Sequence, residues 1–188
     1  MICMRNSILV MILFLTILPK ISETPGSIGN YRYTEFSNIG GYPIEIKNAV
    51  RFIIDRGKDE EFAIRLAEIV YDISYEYNVD FTLIIAIMRV ESDFDSTAIS
   101  YAGARGLMQI RTTTQYGRNI WKKELIRQGI IEKEKQIFEI KRNIEAGAMI
   151  LKLYMLRHGY EYALNRYSNN ARNYVQKVQK TINTINGR

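Results

Sequence analysis

Glu91 is the residue in this chain whose type and position point most directly to chemistry. It continues the line Ile84, Ile87, Glu91 along a segment that is otherwise apolar on every side, at the i, i+3 and i+7 spacing that keeps residues on one helix face. A carboxyl there meets the negative end of the helix dipole and is desolvated by its neighbours, and both effects favour the protonated form. Asp93 and Asp95 add like-charge repulsion wherever they come near. An acid kept protonated near neutral pH is what general-acid cleavage of an acetal, such as a glycosidic bond, requires. A plainer reading stands beside it, in which Glu91 is only the first solvated residue after a buried helix.

Composition narrows the field in the same direction. The chain has one cysteine and one histidine in 188 residues. Cys3 precedes an N-terminal apolar run, so a chain starting beyond that run has no thiol for a disulfide, a nucleophile or a zinc cluster. His158 has no second imidazole to partner, and just before Gly159 it reads as a helix C-terminal residue. Serine-triad and multi-histidine metal chemistry are therefore poorly supported, and catalysis falls to carboxylates.

The segment after Glu91 adds a motif. Glu91, Ser92, Asp93 and Phe94 lead to Ser100 and then to Gly103, Ala104, Arg105, Gly106, Leu107, Met108, Gln109 and Ile110. "ESDF" followed by "SYAGARGLMQI" resembles the lytic transglycosylases of the soluble type, relatives of goose-type lysozyme that cleave the glycan strands of peptidoglycan. "RNIEAGAMILKLY" at Arg142 to Tyr154 and "YALNRYS" at Tyr162 to Ser168 are similar to two further segments of that family. One such match alone is weak, and four in the family's order are strong. The resemblance runs roughly from Tyr71 to Gln176 and implies a lysozyme-like helical domain with a substrate groove.

It also implies roles. Glu91 takes that of the single catalytic acid and base, Ser100 that of a serine near the muramoyl N-acetyl group and the acid, and Gln109 that of a groove glutamine. Met108 falls in the same substrate-binding segment, and Tyr167 matches a tyrosine whose hydroxyl contacts the catalytic carboxyl. Gly103 and Gly106 have a reading of their own, since small residues let backbone approach a sugar chain closely. The implied reaction protonates the oxygen between N-acetylmuramic acid and N-acetylglucosamine and closes an anhydro sugar, with neither metal nor cofactor. Two departures stand out: Ser168, Asn169 and Asn170 replace the family's Asn-Ala-Gly after Tyr167, and Arg111 and Thr112 replace a methionine and a proline, at the cost of an apolar substrate contact. Two alternatives remain, a hydrolytic muramidase that uses Asp93 or Asp95 as a second carboxylate, and a weakly catalytic glycan-binding assembly factor.

The elements that must position these residues read as helices. All three prolines precede residue 44 and 47% of the chain is hydrophobic, which suits a mainly helical domain. Ile46, Val50, Ile53 and Ile54 mark a first helix ending at Gly57, and Phe62, Leu66, Ile69, Val70 and Ile73 a second, after Asp59 and up to Asn78. Asp80 is the N-cap of a third, buried helix that ends near Glu91. A polar loop follows, with short helices expected at Gly106 to Ile110 and Thr113 to Trp121. Ile144, Ala148, Leu151, Tyr154 and Met155 mark a long helix stopped by Gly159, and two more lie near Glu161 to Tyr167 and Arg172 to Ile185. With no repeat and no strand alternation, the class is all-α.

Ahead of this domain, placed at 43–188, lie two other segments. Arg5 and the 11-residue apolar run Ile8 to Leu18 read as a signal peptide or uncleaved anchor over 1–22, since a membrane span needs about 20 apolar residues. Residues 23–42, rich in glycine and tyrosine, read as a linker. The protein is thus expected in the periplasm or cell envelope, touching membrane only through an uncleaved leader. Residues 1–22 carry Arg5, Lys20 and no acid, so the rest has a charge of +4 instead of +6, which favours a polyanionic envelope polymer as partner. Nucleic acid is not expected, because the basic stretch Arg118 to Arg142 interleaves its charges with glutamates, the mark of a solvated helical face. Between wall turnover and local wall opening for a secretion system or flagellum, the small domain fits the latter by analogy.

Overall fold

The computed structural model describes residues 41–113 and 121–187. The leader at 1–22 and nearly all of the linker at 23–42 lie outside the described residues, as does most of the short helix expected at Thr113 to Trp121. Helix α1 spans Ile44–Ile54 and buries Ile46, Ala49, Val50, Phe52 and Ile53. Helix α2 (Glu60–Tyr77) begins where the Asp59 carboxylate accepts the Phe62 N–H at 2.8 Å. That bond satisfies one of the donors left open at a helix start. Asn78 ends α2 in the left-handed region, at φ 49°, a conformation that asparagine tolerates better than most residues.

Helix α3 (Phe81–Ser92) repeats the device, with Asp80 accepting the Leu83 N–H at 2.7 Å. Every residue from Phe81 to Met88 is buried, and α3 packs against α1, α2 and α7 (Tyr174–Ile185). A helix apolar all round has to be central. Truncating Ile87, fully buried, to alanine should cost about 2–5 kcal/mol. The chain leaves α3 through two consecutive left-handed residues, Asp93 at φ 51° and Phe94 at φ 61°. A phenylalanine with positive φ is strained by about 1–3 kcal/mol. It is held there by burial and by an edge-to-face contact with Phe52 of α1 at 6.2 Å.

Beyond the cleft loop come α4 (Lys122–Arg127), a 3-10 turn at Glu134–Phe138, α5 (Ile140–His158) and α6 (Tyr160–Tyr167). α5 packs on α2 and α6, and α6 packs on α7. The class is all-α, as expected, with isolated antiparallel bridges in place of any strand among the described residues. No described helix is long and apolar enough to cross a membrane. The helix expected at Gly106 to Ile110 is not formed. Arg105 bridges both Ile99 and Ile110, and the turn between the latter two places Gly106 at φ 74° and Gln109 at φ 49°. Neither angle belongs to a right-handed helix.

Candidate active site

Glu91 lies in the last turn of α3, at the side of a cleft of about 620 Å³. Tyr174, buried in the first turn of α7, donates its hydroxyl to Glu91 Oε1 at 2.7 Å. Burial pushes the Glu91 carboxyl up to about 7, and the Tyr174 bond pulls partly against that rise. Desolvation is therefore the leading cause. The repulsion expected from Asp93 and Asp95 does not enter. Asp93 pairs with Arg89 at 3.3 Å, and Asp95 accepts from the Thr97 N–H and hydroxyl at 2.8 and 2.7 Å. Both are exposed and neither lines the cleft.

Glu91, Ser100, Gln109 and Tyr167 line this one cleft. Ser100 belongs to the bridged loop, where its backbone pairs with Ala104 and its Oγ accepts the Ala104 N–H at 3.0 Å. Gln109 spends its Nε2 on the carbonyls of Ala98 and Gly106, at 3.2 and 3.0 Å. Tyr167 departs from its expected contact. Its hydroxyl donates to the Met108 carbonyl at 2.8 Å, and the bond to the carboxyl belongs to Tyr174 instead. Only charge links Tyr167 to Glu91, whose proximity joins burial in raising the phenol above its usual range.

Gly106 and Met108 lie outside the cleft lining, contrary to expectation. Both are fully enclosed. A Cβ at Gly106 would collide with the Asn143 amide, and one at Gly147 with the Met108 sulfur. The glycines serve close packing of loop on α5 rather than approach of a sugar. Gly103, at φ 80°, shapes the Ser100 turn and does not line the cleft.

Asn143 is the residue that the sequence reading passed over. Buried in the first turn of α5, it accepts the Met108 N–H at 2.7 Å and donates to the carbonyls of Arg105 and Ile137 at 2.9 and 2.7 Å. Three of its four possible bonds are thus used on the backbone around the cleft. Ser92 does a smaller version of the same work, donating to the Leu107 carbonyl at 2.8 Å. The signal available was a lone asparagine on the apolar face of α5.

The basic stretch 118–142 is no single solvated face. Among its described residues it divides into α4 and the 3-10 turn, and Glu134 ties the pieces to the cleft loop. Its carboxylate accepts from Arg105 at 2.6 Å, Lys122 at 2.9 Å and the Thr112 hydroxyl at 2.9 Å. These donors hold its pKa down at about 2. Thr112 is fully buried in this network and does not line the cleft. Arg111 does line the cleft, with Trp121, Ser168 and Asn169.

Residues 69–184 match the family described as "Transglycosylase SLT domain". Among curated relatives, the "Membrane-bound lytic murein transglycosylase C" of Glaesserella parasuis serovar 5 is 37% identical over 89 residues, 47% of this chain and 24% of that protein. The protein of the same name from Actinobacillus succinogenes is 40% identical over 87 residues, 46% of this chain and 23% of its own. "Membrane-bound lytic murein transglycosylase E" of Buchnera aphidicola subsp. Baizongia pistaciae is 30% identical over 120 residues, 61% of this chain and 55% of that one. The matched segment thus spans about a quarter of the first two relatives and about half of the third.

Proposed function

Because the chain belongs to the transglycosylase SLT domain family, we propose that it is a peptidoglycan lytic transglycosylase with Glu91 as its single acid and base. The bond cleaved joins N-acetylmuramic acid to N-acetylglucosamine. One observation carries this reading: among the described residues, Glu91 is the one carboxyl lining the cleft, and it stays protonated up to about pH 7. A protonated carboxyl at neutral pH can hand its proton to the glycosidic oxygen. A paired-carboxylate hydrolase needs a second acid within about 5–10 Å across the bond, and the candidates Asp93 and Asp95 are engaged elsewhere.

In the first step the Glu91 proton moves to the bridging oxygen as the bond from muramic carbon 1 breaks, and the substrate's N-acetyl oxygen covers that carbon. The carboxylate then takes the proton of the carbon 6 hydroxyl, whose oxygen closes on carbon 1 to give the anhydro ring. Glu91 ends protonated, as it began, and no water is consumed. Tyr174 supports both steps. Its hydroxyl, held well above the usual phenol range by burial and by Glu91, remains a donor to Oε1 and steadies the carboxylate between transfers. Ser100 and Gln109 are the residues expected to meet the glycan.

The same reading puts the protein in the periplasm or cell envelope, exported by its N-terminal apolar segment, where a wall-opening role for a secretion or flagellar assembly suits its size. Digestion of purified peptidoglycan with mass-spectrometric product analysis tests the reaction. Anhydromuramoyl ends are expected from the wild type and not from Glu91→Gln, and reducing muramic ends alone would overturn the proposal.

A further inference from the structure

The cleft holds three cations that the proposed reaction does not use. Arg111 follows the Ile110 bridge, Arg166 stands on α6 and Lys177 on α7, so three separate elements bring positive charge to one site. Several other basic side chains pair with carboxylates: Arg89 with Asp93, Arg105 and Lys122 with Glu134, Arg142 with Glu139. Among the described residues none of the three cleft cations has a carboxylate partner. Nor do they serve the catalytic carboxyl, whose proton affinity is raised by burial with only the Tyr174 bond pulling against it. Tyr154 lines the cleft with them and lies within the electrostatic reach of Arg166 and Arg111.

Resting on the reaction proposed above, we infer that Arg111, Arg166 and Lys177 form a carboxylate-reading wall that selects glycan by the negative charge its muramic acid residues carry. Peptidoglycan offers that charge in two forms. A muramic lactyl group is a free carboxylate on strands stripped of peptide, and on intact strands it is amide-linked to stem peptides that bear carboxylates of their own. Arginine suits this work because its planar fork matches a carboxylate with two donors. A cleft lined by these cations and one neutral acid also excludes no anion by repulsion while Glu91 is protonated.

The test uses sacculi in three forms: untreated, with carboxylates amidated by carbodiimide coupling, and stripped of peptides by an amidase. Turnover is followed as anhydromuramoyl ends, and binding is followed separately by co-sedimentation of the Glu91→Gln protein. Wild type is expected to show a KM about tenfold higher on amidated than on untreated sacculi, with kcat little moved. The triple variant Arg111→Met, Arg166→Ala, Lys177→Gln should raise KM similarly on untreated sacculi and lose its sensitivity to amidation. Each single change should give about twofold, less at high salt. A wild-type KM below that of the triple variant on stripped strands names the lactyl carboxylate, and equal KM of the two there names the stem peptide. Equal KM and equal binding on untreated and amidated sacculi, with wild type and triple variant also alike on stripped strands, overturn the inference. Carboxylate-dependent binding without any anhydromuramoyl product sustains it and overturns the proposed reaction instead.

Discussion

Glu91 and Glu134 are the same residue type placed beside the same loop, and their surroundings push them in opposite directions. Glu91 is desolvated and met by one neutral hydroxyl, and its pKa rises to about 7. Glu134 is met by two cations and a hydroxyl, and its pKa falls to about 2. The first can exchange a proton near neutrality. The second is a permanent anion, and its role is to hold Arg105, Thr112 and Lys122 together. What separates a proton-exchanging carboxyl from a structural one here is burial beside a neutral partner in the first case and cationic partners in the second.

The comparison breaks most visibly at Glu91. Glu91→Gln is expected to lower kcat/KM by about 10³-fold, in the range of lost general acid and base catalysis. For the wild type, kcat/KM should be level below pH 7 and fall tenfold per unit above it, because the free enzyme must carry the proton. An acidic optimum with a decline already complete by pH 6 would remove Glu91 as the acid.

Tyr174→Phe comes next. Losing a hydrogen bond to a charged group should reduce kcat/KM roughly 10- to 100-fold. It should also move the alkaline limb upward, since the Tyr174 bond lowers the Glu91 pKa. Tyr167→Phe, whose hydroxyl serves Met108, should leave that limb where it is.

Glu134→Gln tests the other arm through stability, with an expected loss of about 1–3 kcal/mol at pH 7 by denaturant unfolding. Its folded pKa lies below the ordinary value, so its contribution is present above about pH 4.5 and disappears as pH falls toward 2. The sign reverses at Glu91. There the folded pKa is raised, the folded state holds a proton that the unfolded chain releases, and stability declines from pH 4.5 to 7 by at most about 3 kcal/mol. The stability gap between wild type and Glu134→Gln should close in acid, while Glu91→Gln should gain on wild type as pH rises. The smallest effect belongs to Asp93→Asn, expected within twofold in activity, since asparagine keeps the left-handed turn.

The helices were legible because their signals are local. Asp80 caps as its position implied, the second helix begins after Asp59, Asn78 and Gly159 end helices, and the unbroken apolar run before Glu91 forms the buried α3. The motif likewise brought Glu91, Ser100 and Gln109 to one cleft. What stayed hidden depends on contacts between distant residues. A helix is expected over Gly106 to Ile110, but the conformation there is set by the bridge between Arg105 and Ile110 and by Asn143 across 35 residues. Tyr174 is one of 13 tyrosines, distinguished only by sharing a buried face with Val178. Met108 sits within the motif and Thr112 just after it, where substrate contacts are expected, yet both are buried.

The Asn143 hub gives the cleft loop a measurable rigidity. A loop amide ordinarily exchanges its hydrogen through small local openings. The Met108 amide is bonded instead to a buried side chain in the first turn of α5, 35 residues away. Releasing it means lifting the loop off the helix. In deuterium exchange the Met108 amide should therefore exchange at the slow rate of core helical amides, and Asn143→Ala should turn it into a fast one. The loop that carries Ser100 and Gln109 is thus built to resist opening, so glycan should meet a wall formed in advance.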